Sequence, residues 1–466
     1  MVVGEFTQET DLLIIGGGPG AYHAAFQASS NGIQTTIVES MPFLGGVCLH
    51  RGCIPSKTYL AMAESLHTAT IAKDMGIDFG KPKLDVDRIR AWKESVVKKL
   101  SSGLDMQAKK YKVERIQGTA RFEDVKNVSI ENESGANSHV KFKRCIIATG
   151  SRAIELKGIQ IDSPRVMNSR AALQMQDIPK TLLVLGGGYI GLELGQVYAA
   201  FGSQVTVVEM TAGLMPGVDR DLMRPLLKRF DEDFAQICLE TKVTGMKDVK
   251  SAVEVSFEGK NIPKVTRFDK VLVSVGRRPN SRDLQLEKAG VQVDERGFIK
   301  VDASFKTTST GKIYAIGDVI GNPMLAHKAM HEGIALADIL AGKNEVFDPR
   351  AIPAVVFTDP AIAWAGLTED EAKQKKIDIV IRKMPWSASG RAVAIGRTDG
   401  VTKLILEKST QRLLGIGMTG PHVGEMISEG VLAIEMGAVA YDLTKMIHPH
   451  PTLSETIGEA AGLIHE

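Results

Sequence analysis

The sequence predicts an α/β protein with two parallel-sheet domains and a third, α+β domain at its C-terminal end. Two apolar runs, residues 12–15 and 182–185, each lead into three consecutive glycines and then into a helix-like stretch. A short continuous apolar run of this kind is typical of a strand buried on both faces of a parallel sheet. From about residue 346 onward, strand and helix patterns continue without this glycine signature, which predicts a separate α+β domain.

The two glycine-rich units share one design. In the first, the turn 16–21 precedes a helix over 22–30 and a strand over 33–38 that ends at Glu39. The second unit follows 170 residues later without a gap, and its second strand ends at Glu209. Strand–turn–helix–strand units of about 30 residues open dinucleotide-binding domains. Two unrelated tight turns would not share all of these neighbours, so we predict two bound dinucleotides and electron transfer between them.

Each position of the glycine turns has an expected role. These roles are the tight turn for Gly16 and Gly186, the approach to a pyrophosphate for Gly18 and Gly188, and close helix–strand packing for Ala21 and Gly191. The phosphates would then lie on the N–H groups at the start of the following helix. Glu39 and Glu209 are placed to accept a hydrogen bond from a ribose 2′-hydroxyl. At the second site the carboxylate would repel a 2′-phosphate, which favours NAD over NADP.

Further strands end at candidate nucleotide contacts. The apolar runs 146–151 and 271–276 end in glycine, and a run at 313–316 precedes a Gly-Asp pair that suits a sugar or ribityl hydroxyl. We expect nucleotide contacts from the residues at these strand ends: Thr149, Gly150, Gly276 and Asp318. Between the two glycine-rich units, the pattern predicts amphipathic helix over 60–115 and a small antiparallel sheet over 116–145.

Composition and charge exclude several classes of protein. Lys and Arg number 57 and Asp and Glu 55, so the net charge of +2 argues against a dedicated nucleic-acid or membrane-surface protein. No apolar run reaches the ~18 residues needed to span a bilayer. The first residues carry acids and do not resemble a secretory or transit peptide. Four cysteines are too few for a secreted disulfide framework, so we expect a cytoplasmic protein.

Two of the four cysteines, Cys48 and Cys53, lie five residues apart just after the first nucleotide unit. Three interpretations compete: a zinc site, a pair of inert buried thiols and a redox-active disulfide. A zinc site would need two more ligands at matching spacing, and the remaining cysteines are isolated. Inert thiols are common for a random pair but not beside a cofactor turn, so we favour the redox-active disulfide.

Helical geometry indicates that such a disulfide would be labile. In a regular helix, Cα atoms five residues apart lie about 8–9 Å from each other, whereas a disulfide needs about 4.4–6.8 Å. Oxidation must therefore distort the segment, which Gly52 makes easier, and strained disulfides are the reducible, catalytic ones. Lys57, four residues after Cys53, is either an ordinary solvated lysine or shares the helical face of Cys53 and favours a thiolate there.

A histidine-rich segment near the C-terminus supplies a candidate acid–base group. His448 and His450 each precede a proline, which biases them to an extended conformation and predicts exposed imidazoles. An imidazole that titrates near neutrality suits the deprotonation of a thiol. Thr452 and Glu455 also have the spacing of a capping box, which would open a helix over 453–462.

The cysteine run and the histidine segment together resemble the flavoprotein disulfide reductases, in particular the branch that oxidises dihydrolipoamide. The motifs are Gly-Gly-x-Cys-x₄-Cys-Ile-Pro-Ser-Lys at 45–57 and His-x-His-Pro-Thr-x-Ser-Glu at 448–455, and the resemblance covers essentially the whole chain. It implies FAD at the first glycine turn and NAD at the second. It also implies an FAD-binding domain formed by residues 1–150 and 276–345, an NAD-binding domain at 151–275 and a dimerisation domain at 346–466.

The resemblance implies a role for each candidate catalytic residue. Cys48 would exchange with the substrate, and Cys53 would pack on the flavin. His450 would be the acid–base group and Glu455 would orient it, a role that competes with the helix cap. The cofactors would be contacted by the remaining polar candidates: Asp318 on FAD, and Lys57 paired with Glu193 near the flavin and nicotinamide.

The implied activity is oxidation of protein-bound dihydrolipoamide by NAD⁺, in a homodimer whose His450 faces Cys48 of the second subunit. The implied partners are the lipoyl domains of 2-oxoacid dehydrogenase complexes or the lipoyl carrier of glycine cleavage, without nucleic acid or membrane. Two alternatives stay open: a related FAD-dependent reductase acting on another disulfide or on Hg²⁺, and a docking subunit that holds FAD structurally. Glu209 argues against an NADP-dependent, glutathione-type reductase.

Overall fold

The structure, a computed structural model, describes residues 7–159, 161–260 and 262–463 of the chain. Residues 1–6 and 464–466 lie outside the described residues, and the prediction about a targeting peptide rests partly on the first of these stretches. The chain divides into two compact units. The first contains the stretch that ends at Pro55, Arg90–Ile154 and Gly276–Asp348, and the second contains Ser56–Ile89, Glu155–Val275 and the stretch from Pro349 onward. The domain boundaries expected at residues 150, 275 and 345 stay a prediction.

The strands, in chain order, are β1 (Thr7–Ile15), β2 (Thr35–Glu39), β3 (Glu114–Gln117), β4 (Thr119–Phe122), β5 (Asn127–Glu131), β6 (Asn137–Ile147), β7 (Ser151–Ala153), β8 (Val166–Asn168), β9 (Thr181–Leu185), β10 (Gln204–Val208), β11 (Gln236–Cys238), β12 (Lys242–Val249), β13 (Ala252–Glu258), β14 (Val265–Phe268), β15 (Lys270–Val273), β16 (Arg277–Pro279), β17 (Ile313–Ala315), β18 (Ala354–Val356), β19 (Ala361–Gly366), β20 (Ile379–Pro385), β21 (Val401–Glu407) and β22 (Leu413–Gly420).

The α-helices are α1 (Pro19–Ser30), α2 (Gly46–Arg51), α3 (Cys53–Asp74), α4 (Val86–Lys110), α5 (Ser169–Ala172), α6 (Tyr189–Ala200), α7 (Arg220–Asp233), α8 (Ala326–Leu340), α9 (Glu369–Gln374), α10 (Gly390–Ala394), α11 (Val423–Met436), α12 (Ala440–Lys445) and α13 (Glu455–Gly462). Short 3-10 turns lie at Arg282–Leu284, Leu286–Ala289, Gly317–Ile320 and Trp386–Ala388. No described helix combines the length and the apolar character that a membrane span requires.

A parallel sheet in the order β3–β2–β1–β6 forms the base of the first unit. Ile14 of β1 pairs with Ile37 of β2 and with Ile146 of β6, and all three side chains are fully buried. Burial of the central strand explains the continuous apolar run in the sequence. β1 ends at the glycine turn, so the turn lies at the carboxyl edge of the sheet, where α/β folds bind ligands.

β6 differs from the sequence prediction, which ended an antiparallel sheet at residue 145 and began a new strand at 146. It is one strand whose first half pairs antiparallel with β5 and whose last three residues pair in parallel with β17. The first half alternates between exposed and buried residues, whereas the last three residues are all buried. The change of partner therefore produced the change of pattern, and Thr149 and Gly150 lie in the loop after Ile147 rather than in a strand.

The second unit contains a second parallel sheet, in the order β11–β10–β9–β15–β8. Leu183 of β9 pairs with Thr206 of β10 and with Val271 of β15, which makes β9 the central strand below the second glycine turn. The antiparallel strands β12, β13 and β14 form a separate small sheet. β15 is shorter than the strand predicted over 271–276, because it ends at Val273.

The C-terminal part of the second unit is an antiparallel sheet in the order β18–β19–β22–β21–β20, which confirms the α+β prediction after residue 346. Trp386 is fully buried against this sheet, and its indole donates to Thr402 Oγ1 at 3.0 Å. Thr402 in turn shares a 2.7 Å hydrogen bond with Thr456 of α13. This buried chain of hydrogen bonds fixes the start of α13 on the sheet.

Candidate active site

The first glycine turn forms a cradle with an acid at its base. Gly16 has a φ of +111°, and a Cβ there would collide with the carbonyl oxygen of Ala148, so glycine is required. The Gly17 N–H donates to Glu39 Oε2 at 2.6 Å. Beside Gly18, by contrast, a Cβ would meet nothing within 4 Å, so a ligand has room to approach the backbone there. Ala21 is fully buried where α1 packs on the sheet.

The second glycine turn reproduces this geometry in the second unit. Gly186 has a φ of +101°, and a Cβ there would lie 2.6 Å from the carbonyl oxygen of Ser274. The Gly187 N–H donates to Glu209 Oε2 at 2.7 Å, and Gly188 again faces open space. A Cβ at Gly191 would collide with the Ser274 hydroxyl, which explains the close packing of α6 on the sheet.

The electrostatics of Glu209 suit a ribose contact. Burial alone would raise its pKa, but hydrogen bonds from the N–H groups of Gly187 and Thr211 outweigh burial and hold the pKa below its ordinary value. The carboxylate is therefore ionised at neutral pH and can accept a hydroxyl hydrogen bond. Both cradles thus fit the pyrophosphate and adenosine half of a dinucleotide.

The other predicted nucleotide residues lie close together in the first unit. Thr149 Oγ1 donates to the carbonyl of Asn280 at 2.8 Å, and the Asn280 N–H donates to the carbonyl of Gly150 at 2.9 Å. Asp318 accepts a hydrogen bond from Ser151, whose hydroxyl also receives one from Arg277 at 2.7 Å. Sequence reasoning missed Ser151 and Arg277, which flank the predicted Gly150 and Gly276 in the chain.

The two cysteines lie on either side of a break between helices, not in one regular helix as the sequence geometry assumed. Cys48 is half-buried in α2, and Cys53 is exposed at the first position of α3. The break falls at Gly52, where a Cβ would lie 2.9 Å from the carbonyl oxygen of Val47. Burial and the charges of the two cysteines raise the pKa of Tyr22 of α1 to about 12.

Lys57 is not an ordinary solvated lysine, because its ammonium pairs with Glu193. The Nζ atom lies 3.0 and 2.8 Å from the two carboxylate oxygens, and the Glu193 side chain is only 4% exposed. Glu193 Oε1 also accepts the N–H of Phe357 at 3.0 Å, and the Lys57 ammonium lies 4.4 Å from the centre of the Phe357 ring. A buried carboxylate, a cation and an aromatic ring thus form one cluster in the second unit.

In the histidine segment, Glu455 contacts both His450 and Thr452, the residues on which its two proposed tasks depend. Its Oε1 contacts His450 Nδ1 at 2.9 Å, and its Oε2 accepts the N–H of Thr452 at 2.7 Å. The Thr452 N–H and the His450 contact together lower the pKa of Glu455. The capping box is nevertheless incomplete, because α13 begins at Glu455 rather than at 453 and the Thr452 hydroxyl donates to Pro449 instead.

The two histidines differ in exposure, which corrects the prediction that both imidazoles are exposed. The side chain of His450 is 80% exposed, as predicted, whereas that of His448 is only 7% exposed. His448 Nε2 contacts Glu429 of α11 at 2.9 Å, and its ring lies against Gly458, where a Cβ would come within 3.1 Å. A local rule about residues before proline cannot anticipate this contact with a distant helix.

A cavity of about 510 Å³ in the second unit lies beside Lys57 and Phe357. Its wall includes Gln196 and Asp359, which sequence reasoning missed. The signal was weak: α6 is apolar apart from tyrosine and two polar residues three positions apart, Glu193 and Gln196. No motif marks Asp359. Burial alone would raise the pKa of its carboxyl group, but the hydrogen bond with His67 and the nearby charge of Arg397 lower this pKa to about 2.

Two family models match the chain in succession. Residues 10–333 match the pyridine nucleotide-disulphide oxidoreductase family, and residues 352–461 match the dimerisation domain of the same family. The chain is 45% identical over 453 residues to a dihydrolipoyl dehydrogenase of Haemophilus influenzae, covering 97% of this chain and 94% of that one. It is 44% identical over 461 residues to a dihydrolipoyl dehydrogenase of Thermus scotoductus, covering 98% and 97%.

Solved structures give the same picture. LpdA from Mycobacterium tuberculosis matches with a TM-score of 0.90 at 25% identity, over 97% of this chain and 99% of that one. The HOCl-induced flavoprotein disulfide reductase RclA from Escherichia coli, solved as a Cu(II) complex, matches with a TM-score of 0.88 at 27% identity, over 98% and 100%.

Proposed function

The chain belongs to the pyridine nucleotide-disulphide oxidoreductases, and on that premise we propose that it oxidises protein-bound dihydrolipoamide to lipoamide with NAD⁺. The observation that carries the proposal is identity of 42–45%, over nearly the full length, to dihydrolipoyl dehydrogenases. The cofactors are FAD and NAD. When bound, FAD supplies a two-electron carrier between a dithiol and the nicotinamide.

The glycine turns and their acids would hold the two cofactors. Gly16, Gly18 and Glu39 in the first unit would bind FAD, with Asp318 on a hydroxyl of the same cofactor. Gly186, Gly188 and Glu209 in the second unit would bind NAD. Ala21, which is buried, and Gly191 allow the helix after each turn to pack closely on its sheet. This packing would let each backbone approach its ligand.

His450 would take the proton of the substrate thiol. Its exposed ring can reach a group carried by another protein, and Glu455 Oε1 lies at Nδ1. A carboxylate accepts a hydrogen bond from Nδ1–H, which leaves the lone pair of Nε2 as the base. Glu455 therefore sets both the tautomer and the direction of the base, and its second oxygen is anchored by Thr452.

The two cysteines would exchange disulfides with the substrate. The substrate thiolate attacks Cys48 Sγ, the Cys48–Cys53 bond breaks, and Cys53 leaves as a thiolate. The first substrate sulfur is now joined to Cys48, and the second substrate thiol attacks this first substrate sulfur. This attack closes the lipoamide ring and releases the Cys48 thiol. One substrate dithiol is oxidised and one protein disulfide is reduced, so sulfur and electrons balance. The break at Gly52 supports this exchange because it lets the segment turn between the two sulfurs.

The finer features of the proposal concern partners and setting. The dimerisation-domain match at 352–461 supports a homodimer, in which His450 of one subunit would serve Cys48 of the other. The lipoyl substrate would come from a 2-oxoacid dehydrogenase complex or from the lipoyl carrier of glycine cleavage. Four cysteines in the whole chain support a reducing, cytoplasmic setting.

An assay of the purified holoenzyme with three acceptors tests the proposed function. We expect NADH to reduce lipoamide rapidly, and glutathione disulfide and Hg²⁺ at least about a hundredfold more slowly in kcat/KM. If kcat/KM were greater for glutathione disulfide or for Hg²⁺, the assignment of dihydrolipoamide as the substrate would be wrong. Loss of lipoamide turnover in Cys48→Ser would show that the measured activity uses the proposed cysteine.

A further inference from the structure

Gln196 is a buried amide on the nucleotide-binding helix α6, three residues after Glu193, with 5% of its surface exposed. Its Oε1 accepts the N–H of Asp359 at 2.7 Å. Its Nε2 donates to the Asp359 carbonyl and to Asp233 Oδ2, each at 2.8 Å. A side-chain amide has two N–H donors, and both are used here. One side chain thus satisfies both peptide groups of a single residue.

The segment that carries Asp359 depends on α6 for these bonds. It follows β18, the edge strand of the C-terminal sheet, which ends at Val356. Beyond a strand end, buried peptide groups need partners other than the sheet ladder. Glu193 binds the N–H of Phe357 and Gln196 binds the N–H of Asp359, so two side chains on one helix face bind alternate residues of the segment. The match fixes the register of the segment on the helix.

We propose that Gln196 is a positioning residue for hydride transfer between the nicotinamide nucleotide and the enzyme. It holds the 357–359 segment in register on α6, and this register places both the Phe357 N–H on Glu193 and the Phe357 ring below the Lys57 ammonium. A slip of the segment would disturb both contacts of the ion pair at once. The inference rests on the proposed function, because it assigns the Lys57–Glu193 pair to the redox reaction.

The contacts of Gln196 also predict which kinetic constant it controls. The affinity for the nucleotide depends on the turn at Gly186 and on Glu209, which receives its hydrogen bonds from Gly187 and Thr211. Gln196 bonds to neither of them, and its hydrogen bonds go to Asp359 and Asp233. Loss of Gln196 should therefore lower the rate of hydride transfer and leave nucleotide binding nearly unchanged.

The test is single-turnover reduction of the FAD-loaded enzyme by NADH, followed by loss of flavin absorbance without any disulfide substrate. Gln196→Met keeps the length of the side chain and removes all three hydrogen bonds. We expect reduction to be about tenfold slower, the loss of roughly one well-made buried hydrogen bond, with the half-saturating NADH concentration within about twofold. Ser203→Ala is the matched control, because it removes a buried 2.6 Å hydrogen bond to Pro179 in the same unit.

A double-variant comparison separates positioning from a general loss of stability. If Gln196 acts through Glu193, then Gln196→Met should slow reduction by less than about twofold when Glu193→Gln is already present. An equal tenfold loss in both backgrounds, an equal loss in Ser203→Ala, or weaker NADH binding at an unchanged rate would overturn the proposal.

A replacement variant and the absence of lipoamide from the assay allow the test to be interpreted in every case. If Gln196→Met does not yield folded holoenzyme, Gln196→Ser replaces it, because a smaller polar side chain admits water to the Asp359 peptide groups, and the same outcomes apply. Because NADH reduction needs no lipoamide, an enzyme that failed with lipoamide would refute the proposed function and leave this result independent.

Discussion

At the scale of single residues, we propose that Glu209 selects NAD over NADP. Its two oxygens accept N–H groups from Gly187 and Thr211, so the carboxylate has a fixed place at the edge of the second glycine turn. Glu39 has the same arrangement at the first turn, with N–H groups from Gly17 and Met41. A fixed, ionised carboxylate accepts a ribose hydroxyl and repels a phosphate at the same position.

We therefore predict that the wild-type enzyme prefers NADH to NADPH by at least about two orders of magnitude in kcat/KM. Glu209→Gln removes the negative charge and should narrow this preference by about tenfold or more. Steady-state kinetics with both nucleotides measures the preference for NADH over NADPH. Glu39→Gln is the matched control, because it alters the corresponding residue of the first turn. Equal kcat/KM for the two nucleotides in the wild type would refute the assignment.

The two cysteines should be separable by colour. Cys48→Ser should abolish lipoamide turnover and leave the Cys53 thiolate beside oxidised flavin, which gives a long-wavelength charge-transfer absorbance without any reductant. Cys53→Ser should abolish both turnover and the absorbance. A visible spectrum of each purified variant measures this absorbance. Absorbance in Cys53→Ser with none in Cys48→Ser would reverse the roles of the two cysteines.

At the scale of elements, α3 is anchored to the segment after β18 through the carboxylate of Asp359. His67 of α3 and Arg397 both contact the carboxylate of Asp359, and His67 Nε2 accepts a hydrogen bond from Arg229 Nη1 at 2.8 Å. These partners hold the pKa of Asp359 at about 2, below its ordinary value of 3.8. The ionised form thus stabilises the fold above about pH 4, and this contribution is lost as the pH falls from about 4 toward 2.

Asp359→Asn should therefore lower the free energy of unfolding by about 2 kcal/mol at pH 6. The difference from wild type should shrink as the pH is lowered below about 4, because the wild-type carboxyl begins to bind a proton. Urea unfolding of the holoenzyme at several pH values measures this, with the exposed Asp231→Asn as a control for the general effect of charge. A difference that stays constant down to pH 3 would contradict the explanation.

At the start of α13, we propose that Glu455 both supports the local fold through Thr452 and orients His450. Glu455→Gln keeps an acceptor for the Thr452 N–H and removes the charge beside His450, whereas Glu455→Ala removes both contacts. We expect each variant to lose about tenfold or more in kcat. Only Glu455→Ala should also lose about 1 kcal/mol of stability, the usual net contribution of one hydrogen bond, because it leaves the Thr452 N–H without its acceptor. Thermal unfolding and lipoamide kinetics on both variants separate the two tasks, and an unchanged kcat in Glu455→Gln would leave Glu455 with the Thr452 contact alone.

The features that the sequence predicts are those that are local in the chain. The glycine turns, their acids and the strand before each turn lie within about one unit of 30 residues, where spacing alone determines geometry. The Gln196–Asp359 contact joins residues 163 positions apart, and no spacing rule reaches that far. The burial of His448 and the double pairing of β6 have the same origin, since each depends on which distant element lies alongside.

For the whole molecule, we propose that one active site needs residues from two subunits. The cysteines belong to the first compact unit and the His450–Glu455 pair to the second, and residues 352–461 match a dimerisation domain. Cys48→Ser and His450→Gln chains, each nearly inactive alone, can therefore be combined. In a mixed dimer with shared sites, one site carries both lesions and the other is intact.

The decisive measurement is the lipoamide activity of mixed dimers that are isolated through two different affinity tags on the Cys48→Ser and His450→Gln chains. With one intact site of two, the isolated mixed dimer should have about half of the wild-type activity, and an unfractionated, randomly paired mixture about a quarter. If the cysteine and the histidine acted within one chain, every site would carry a lesion. Mixed dimers as inactive as the parent variants would therefore contradict the shared active site.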